Sequence, residues 1–93
     1  MPALKWLPEA LQDIKRLHGF IAEKSPEAAA RAAASILAGA DALAVHPQIG
    51  RPHPSGMREW LIRFGASHYV LRYRIDPQGD PVVVRVWHER EAR

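Results

Sequence analysis

The side chains in this sequence best suited to chemistry on an anion are arginines, and they are unevenly placed. Residues 47–93 hold eight of them, Arg51, Arg58, Arg63, Arg72, Arg74, Arg85, Arg90 and Arg93, and no lysine. A guanidinium presents a planar fork of N–H donors that fits phosphate or carboxylate and also stacks on aromatic planes. Residues 1–46 balance five basic against five acidic side chains, so the net charge of +3 arises in the second half. The histidines offer less. His46 and His53 flank a proline-rich segment with no carboxylate at ligand spacing, and the chain has no cysteine. Neither a metal site, a disulfide framework nor a cofactor is therefore expected.

The elements that carry these residues follow from periodicity. Ala3 to Leu7 is a short apolar stretch that predicts a first strand. Pro8 fits the first turn of a helix, in which Leu11, Ile14, Leu17, His18 and Ile21 recur at helical spacing. Glu9, Asp13, Lys15, Arg16 and Glu23 are expected on the opposite, solvated face. Ser25-Pro26-Glu27 supplies a cap, a first-turn proline and a carboxylate for the dipole of a second, alanine-rich helix. The short connection makes the two helices antiparallel neighbours.

His46 to Gly56 holds three prolines and two glycines in eleven residues, which predicts a loop without regular structure. Beyond it the period changes to two. Trp60, Ile62 and Phe64 form one alternating set, Tyr69, Leu71, Tyr73 and Ile75 a second, and Val82, Val84 and Val86 a third. Turns at Gly65-Ala66-Ser67 and Asp76-Pro77-Gln78-Gly79-Asp80 join them into an antiparallel meander. The expected fold is α+β, in the order β-α-α-β-β-β, with a helical hairpin on one face of a small antiparallel sheet. Alternation leaves Glu59, Leu61, Arg63, Val70, Arg72, Arg74, Arg85 and Trp87 on the other face. Arg72, Arg74 and Arg85 on adjacent strands would repel one another, which calls for an anionic partner, with Trp87 as its anchor. His88 has the parity of Val84 and Val86, which places it as a hydrogen-bonding histidine at the edge of the core.

Ninety-three residues, 47% hydrophobic and 25% charged, suit one domain with one core. No segment is expected to approach the roughly 20 apolar residues that a bilayer span requires. The N-terminus lacks a signal-peptide pattern, so a cytoplasmic location is expected.

An ordered set of residues carries a resemblance over essentially the whole chain. It comprises Trp6 with Ala10, Ser25-Pro26 before the alanine-rich helix, Leu43, His46-Pro47, Gly50-Arg51 and Arg58-Glu59. It ends with Tyr69-Val70-Leu71-Arg72-Tyr73 and Val86-Trp87-His88-Glu89-Arg90. Together these resemble the RelE/ParE superfamily of type II toxin–antitoxin toxins. The resemblance implies a toxin neutralised by a cognate antitoxin whose C-terminal segment wraps around it. The target would be DNA gyrase in the ParE-like branch and ribosome-bound mRNA in the RelE-like branch. A nuclease of the second kind needs acid, base and cationic groups at the scissile phosphate. The resemblance would assign these to Glu59, Arg63, Arg72, Arg85 and His88. Two departures stand against it: Val70 occupies a strand position that is arginine in such nucleases, and Glu89 follows the histidine where an aromatic residue is expected. The ParE-like branch therefore leads, with no catalytic residues and with Arg63, Arg72, Arg74, Arg85, Trp87 and Arg90 expected to bind a protein partner. A homologue that only binds antitoxin, without toxicity, is a further alternative.

Overall fold

The computed structural model describes residues 3–91; Arg93 of the arginine set lies outside them. The first strand, β1 (Lys5–Trp6), is shorter than the apolar stretch suggested and leads into helix α1 (Pro8–Ala22). Helix α2 (Pro26–Val45) begins as its sequence requires, with the Ser25 hydroxyl accepting the Ala28 N–H at 3.1 Å. Strands β2 (Arg51–Pro52), β3 (Arg58–Phe64), β4 (Ser67–Ile75) and β5 (Pro81–His88) complete a five-stranded sheet in the order β1-β5-β4-β3-β2. All pairings are antiparallel except that of β1 with β5. The expected order is therefore observed with one addition, β2, inside the segment read as an irregular loop. Pro52 is tolerated there because β2 is an edge strand and its missing donor deprives no neighbour.

Both turns follow their residues. Gly65, at φ 61°, is the first central residue of the two-residue β3–β4 turn, where a type II′ hairpin wants glycine. At the β4–β5 turn, Asp76 Oδ1 accepts the N–H groups of Gln78 and Asp80 at 3.0 and 2.9 Å. Lys5 ties β1 to the same turn through Asp76 at 2.8 Å and Asp80 at 3.2 Å.

The core lies between the helices and one sheet face, built from Leu17, Ile36, Leu43, Ile62, Leu71, Tyr73, Val83 and Val86. One expectation fails on β5. A bulge shifts the register so that Arg72 pairs with Arg85 but Tyr73 pairs with Val83. Val84 is the extra residue, only half-buried, and Val83 replaces it in the core. On α1 the buried stripe is Ala10, Asp13 and Leu17, while Leu11 and His18, expected inside, are exposed. Alanine-rich α2 buries Ala29, Ala32, Ile36, Ala40 and Leu43. By length and composition alone its 20 residues could cross a membrane, where no such segment was expected from the sequence. Its buried face against the sheet, together with Glu27, Arg31 and Asp41 on its outer side, is the pattern of a core helix instead.

The loop before β3 is held from below by Tyr73. Its buried hydroxyl donates to Pro47 O at 2.6 Å and accepts the Gly50 N–H at 2.9 Å. Gly50 must be glycine for this approach: a Cβ there would lie 2.6 Å from the Tyr73 ring and 2.9 Å from Glu59 O. Gly50→Ala is therefore expected to destabilise the fold by about 1–3 kcal/mol through overpacking. Tyr73→Phe, which orphans two backbone groups, should have an effect of about the same size. Urea unfolding checks both, with lower midpoints at unchanged slope as the expected result.

Candidate functional site

On the sheet face away from the helices, β3, β4 and β5 bring Glu59, Arg72, Arg85 and Trp87 together. Glu59 pairs with Arg72 and Arg72 with Arg85 across adjacent strands. The Arg72 guanidinium closes on Glu59 Oε2 through Nη2 at 2.6 Å and Nε at 3.2 Å. It also lies 5.0 Å from the Trp87 ring centroid and 3.3 Å from His53 Nε2. A carboxylate on one side and an aromatic face on the other hold this guanidinium in place. Arg51 approaches the other Glu59 oxygen at 3.8 Å.

Arg85 does not stay on that face. Next to the short β1 the edge of β5 is uncovered, and Arg85 reaches around it to Asp13 of α1. Its Nε donates to Oδ2 at 2.7 Å and its Nη2 to Oδ1 at 3.0 Å. The Val86 N–H, which points out of the sheet, donates to the same carboxylate at 2.8 Å, and Arg16 Nη2 does so at 3.3 Å. Asp13 is only 4% exposed. Burial alone would raise its pKa, but the Arg85 guanidinium, the Val86 N–H and Arg16 outweigh burial and hold it below the ordinary carboxylate value. Arg16 continues the network, donating to Val86 O at 3.3 Å and to Glu91 Oε2 at 2.6 Å.

His88 lies on the opposite face. Its ring meets Tyr69 edge-on at 5.5 Å, and its Nδ1 accepts the Arg90 N–H at 3.1 Å. It borders an open, mainly apolar groove of about 700 Å³ that runs along Leu17, Phe20, Ile21, Phe64 and Tyr69. Phe20 is 77% exposed there. Arg16, Arg90 and Glu91 rim the groove. Glu89, which stands where an aromatic residue was expected, accepts the His68 backbone N–H at 3.1 Å.

The geometry can be set beside known proteins. The family model for the ParE toxin of type II toxin–antitoxin systems, parDE, matches residues 4–93. The chain belongs to that family. It is similar to Toxin RelE3 of Caulobacter vibrioides, 38% identical over the full length of both chains. It is also similar to Toxin RelE1 of the same organism, at 41% identity over 90% of this chain and 89% of that one. A solved chromosomal ParDE toxin–antitoxin system from P. aeruginosa shares the fold, with a TM-score of 0.77 at 21% identity over 95% of this chain and 96% of that one. This is the toxin of a type II toxin–antitoxin pair, and membership of the family implies an antitoxin partner.

In this toxin the arginines expected to repel one another are mostly neutralised from within. Arg72 is paired with Glu59, and Arg85 with Asp13. Trp87 is largely buried beneath Arg72 rather than presented as an open anchor. Of the arginines expected to bind a partner, Arg63, Arg74 and Arg90 are exposed; Arg51, outside that group, is exposed as well. Sequence reasoning missed Asp13, Arg16, Phe20, His53 and Glu91. Asp13 left a signal, since it falls between Ala10 and Leu17 in the buried stripe of α1.

The depressed Asp13 pKa has a defined sign. Its stabilisation is fully present above the unfolded carboxyl value of about 3.9 and is lost as pH falls through the lower folded value. Asp13→Ala is expected to lower stability at neutral pH by on the order of 3 kcal/mol, because it strands Arg85 and the Val86 N–H. It should also make the loss of stability below about pH 5 shallower than in the wild type. Urea midpoints across the acid range measure both effects.

Proposed function

We propose that this chain is a single-domain toxin of the ParE-like kind, acting in the cytoplasm by binding DNA gyrase and held inactive by its cognate antitoxin. The observation that supports this reading is the division of the nuclease set over two faces of the sheet. Glu59 and Arg72 stand on one side, with Glu59 closed into an ion pair, and Arg85 turns away from them around the edge of β5 to Asp13. His88 stands on the other, beside Tyr69, with its Nδ1 already accepting a hydrogen bond. A general acid and base must reach one phosphate together. This arrangement does not put them within common reach. Arg63, Arg74 and Arg90 are the arginines left for contact with a protein partner, whereas Arg72 and Arg85 position Trp87 and Asp13.

One observation favours a second reading, a ribosome-dependent mRNA endonuclease. His53 and Arg72 bring an imidazole and a guanidinium together on one face, as phosphate chemistry would want. The two readings part in a single pair of experiments. Purified toxin added to a gyrase supercoiling reaction is expected to inhibit it at micromolar excess, while transcripts stay intact in cells where the toxin is induced. Unchanged supercoiling together with transcripts cut at ribosomal A-site codons would establish the nuclease instead. Overexpression without growth arrest would identify a homologue that only binds antitoxin.

A further inference from the structure

Helix α1 carries a glycine that its own fold does not require. Gly19 lies in the helix interior, where glycine is less favourable than alanine. A Cβ there would meet no atom within 4 Å, and the backbone is not left-handed. Gly39 of α2 is different, since a Cβ on it would lie 2.7 Å from Ile62. Beside Gly19 stands Phe20, more exposed than any other large apolar side chain described. It rims the apolar groove of about 700 Å³ whose far wall is Phe64 and Tyr69. A bare aromatic ring next to an apolar groove is the kind of patch that marks a contact surface.

Arg16, Gly19, Phe20 and Glu23 are spaced i, i+3, i+4 and i+7, so they share one face of α1. Glu23 keeps helical dihedrals (φ −57°, ψ −32°), which carries the face through it. Its carboxylate is exposed and without a partner among the described residues. Arg16 at the other end gives N–H groups to Asp13, Val86 and Glu91, and a guanidinium has five to give.

We propose that this face of α1 joins two copies of the toxin as a two-fold symmetric dimer, with each Phe20 seated in the other copy's groove. An isologous contact needs a knob and a hole on the same surface, which Phe20 and the groove provide. An antiparallel crossing about an axis between Gly19 and Phe20 sets the two glycines against each other, so the helix backbones come close. It turns each Phe20 toward the Phe64 and Tyr69 wall of the other copy. The same register brings Arg16 opposite the partner's Glu23, and the symmetry repeats the pair. Charge, shape and the bare glycine thus agree on one arrangement. The contact is small, one helix crossing and one groove from each copy, so association is expected in the micromolar range.

Sedimentation of the full-length, unbound toxin over a concentration series tests this. The average mass is expected to rise from monomer to dimer across the micromolar range. Phe20→Ser removes the knob and Gly19→Leu fills the crossing; each should weaken association at least tenfold. Leu37→Ser, which removes an exposed apolar side chain from α2, should alter it less than twofold. Gly19→Leu should leave the unfolding midpoint unchanged or raise it, because the space is open and leucine favours a helix. Loss of the dimer would then not be loss of the fold. In a mixture of labelled and unlabelled toxin, isotope-filtered NOEs should join Phe20 of one copy to Phe64 and Tyr69 of the other. Those NOEs decide if a variant does not fold. A toxin that stays monomeric throughout overturns the proposal. So does a dimer that Phe20→Ser and Gly19→Leu both leave intact, which would put the contact on another face. A monomer whose Phe20 becomes covered only in complex with antitoxin would overturn it in favour of that partner.

Discussion

One buried carboxylate organises the structure. Asp13 is the only described charged residue in the buried set, and it stands where α1, β5 and the C-terminal turn meet. A β-sheet edge that runs beneath a helix leaves polar groups in an apolar place, and burying them unpaired is costly. Asp13 answers the Val86 N–H directly and draws Arg85 around the edge to balance its own charge. Arg16 then takes the Val86 carbonyl and Glu91. Two arginines, two carboxylates and two backbone groups are satisfied as one unit. Partial satisfaction would be worse than an apolar edge, so the network stands or falls together.

This constraint shapes what the surface can offer a partner. Arg85 serves Asp13, and Arg72 serves Glu59 and covers Trp87, so the sheet face is less cationic than the arginine count suggests. The chemistry left on display is of two other kinds. One is the apolar groove at the end of α1, where Phe20 is exposed above Phe64 and Tyr69. The other is the open edge of β3. Both suit an extended or amphipathic protein segment, which is the kind of partner that membership of a toxin–antitoxin family calls for.

Much of the fold was legible because local signals and the global pattern agreed. Pro8, Ser25-Pro26, Gly65 and the Asp76–Asp80 turn each sit where their backbone chemistry places them. The misses have physical causes. The bulge at Val84 leaves no mark in a run of valines, since Val82, Val83, Val84 and Val86 all suit a strand on either face. Strand β2 hid in a proline-rich stretch because two residues at an edge need almost no propensity. The site residues were harder still. That Arg72 and Arg85 lie side by side follows from register, but which carboxylate each one meets depends on how α1 crosses β5. Asp13 was assigned to the solvated face of its helix because polarity outweighed position. Its spacing from Ala10 and Leu17 was the better guide.

The toxin seals one edge of its sheet with side chains and leaves the Leu61–Arg63 edge open among the described residues. Native-state hydrogen exchange of the unbound protein measures this directly. The Val86 amide, held by Asp13, is expected to exchange orders of magnitude more slowly than the Leu61 and Arg63 amides of β3 in the same molecule. Equal rates for the two edges, or a Val86 amide that exchanges as freely as Leu61, would contradict it.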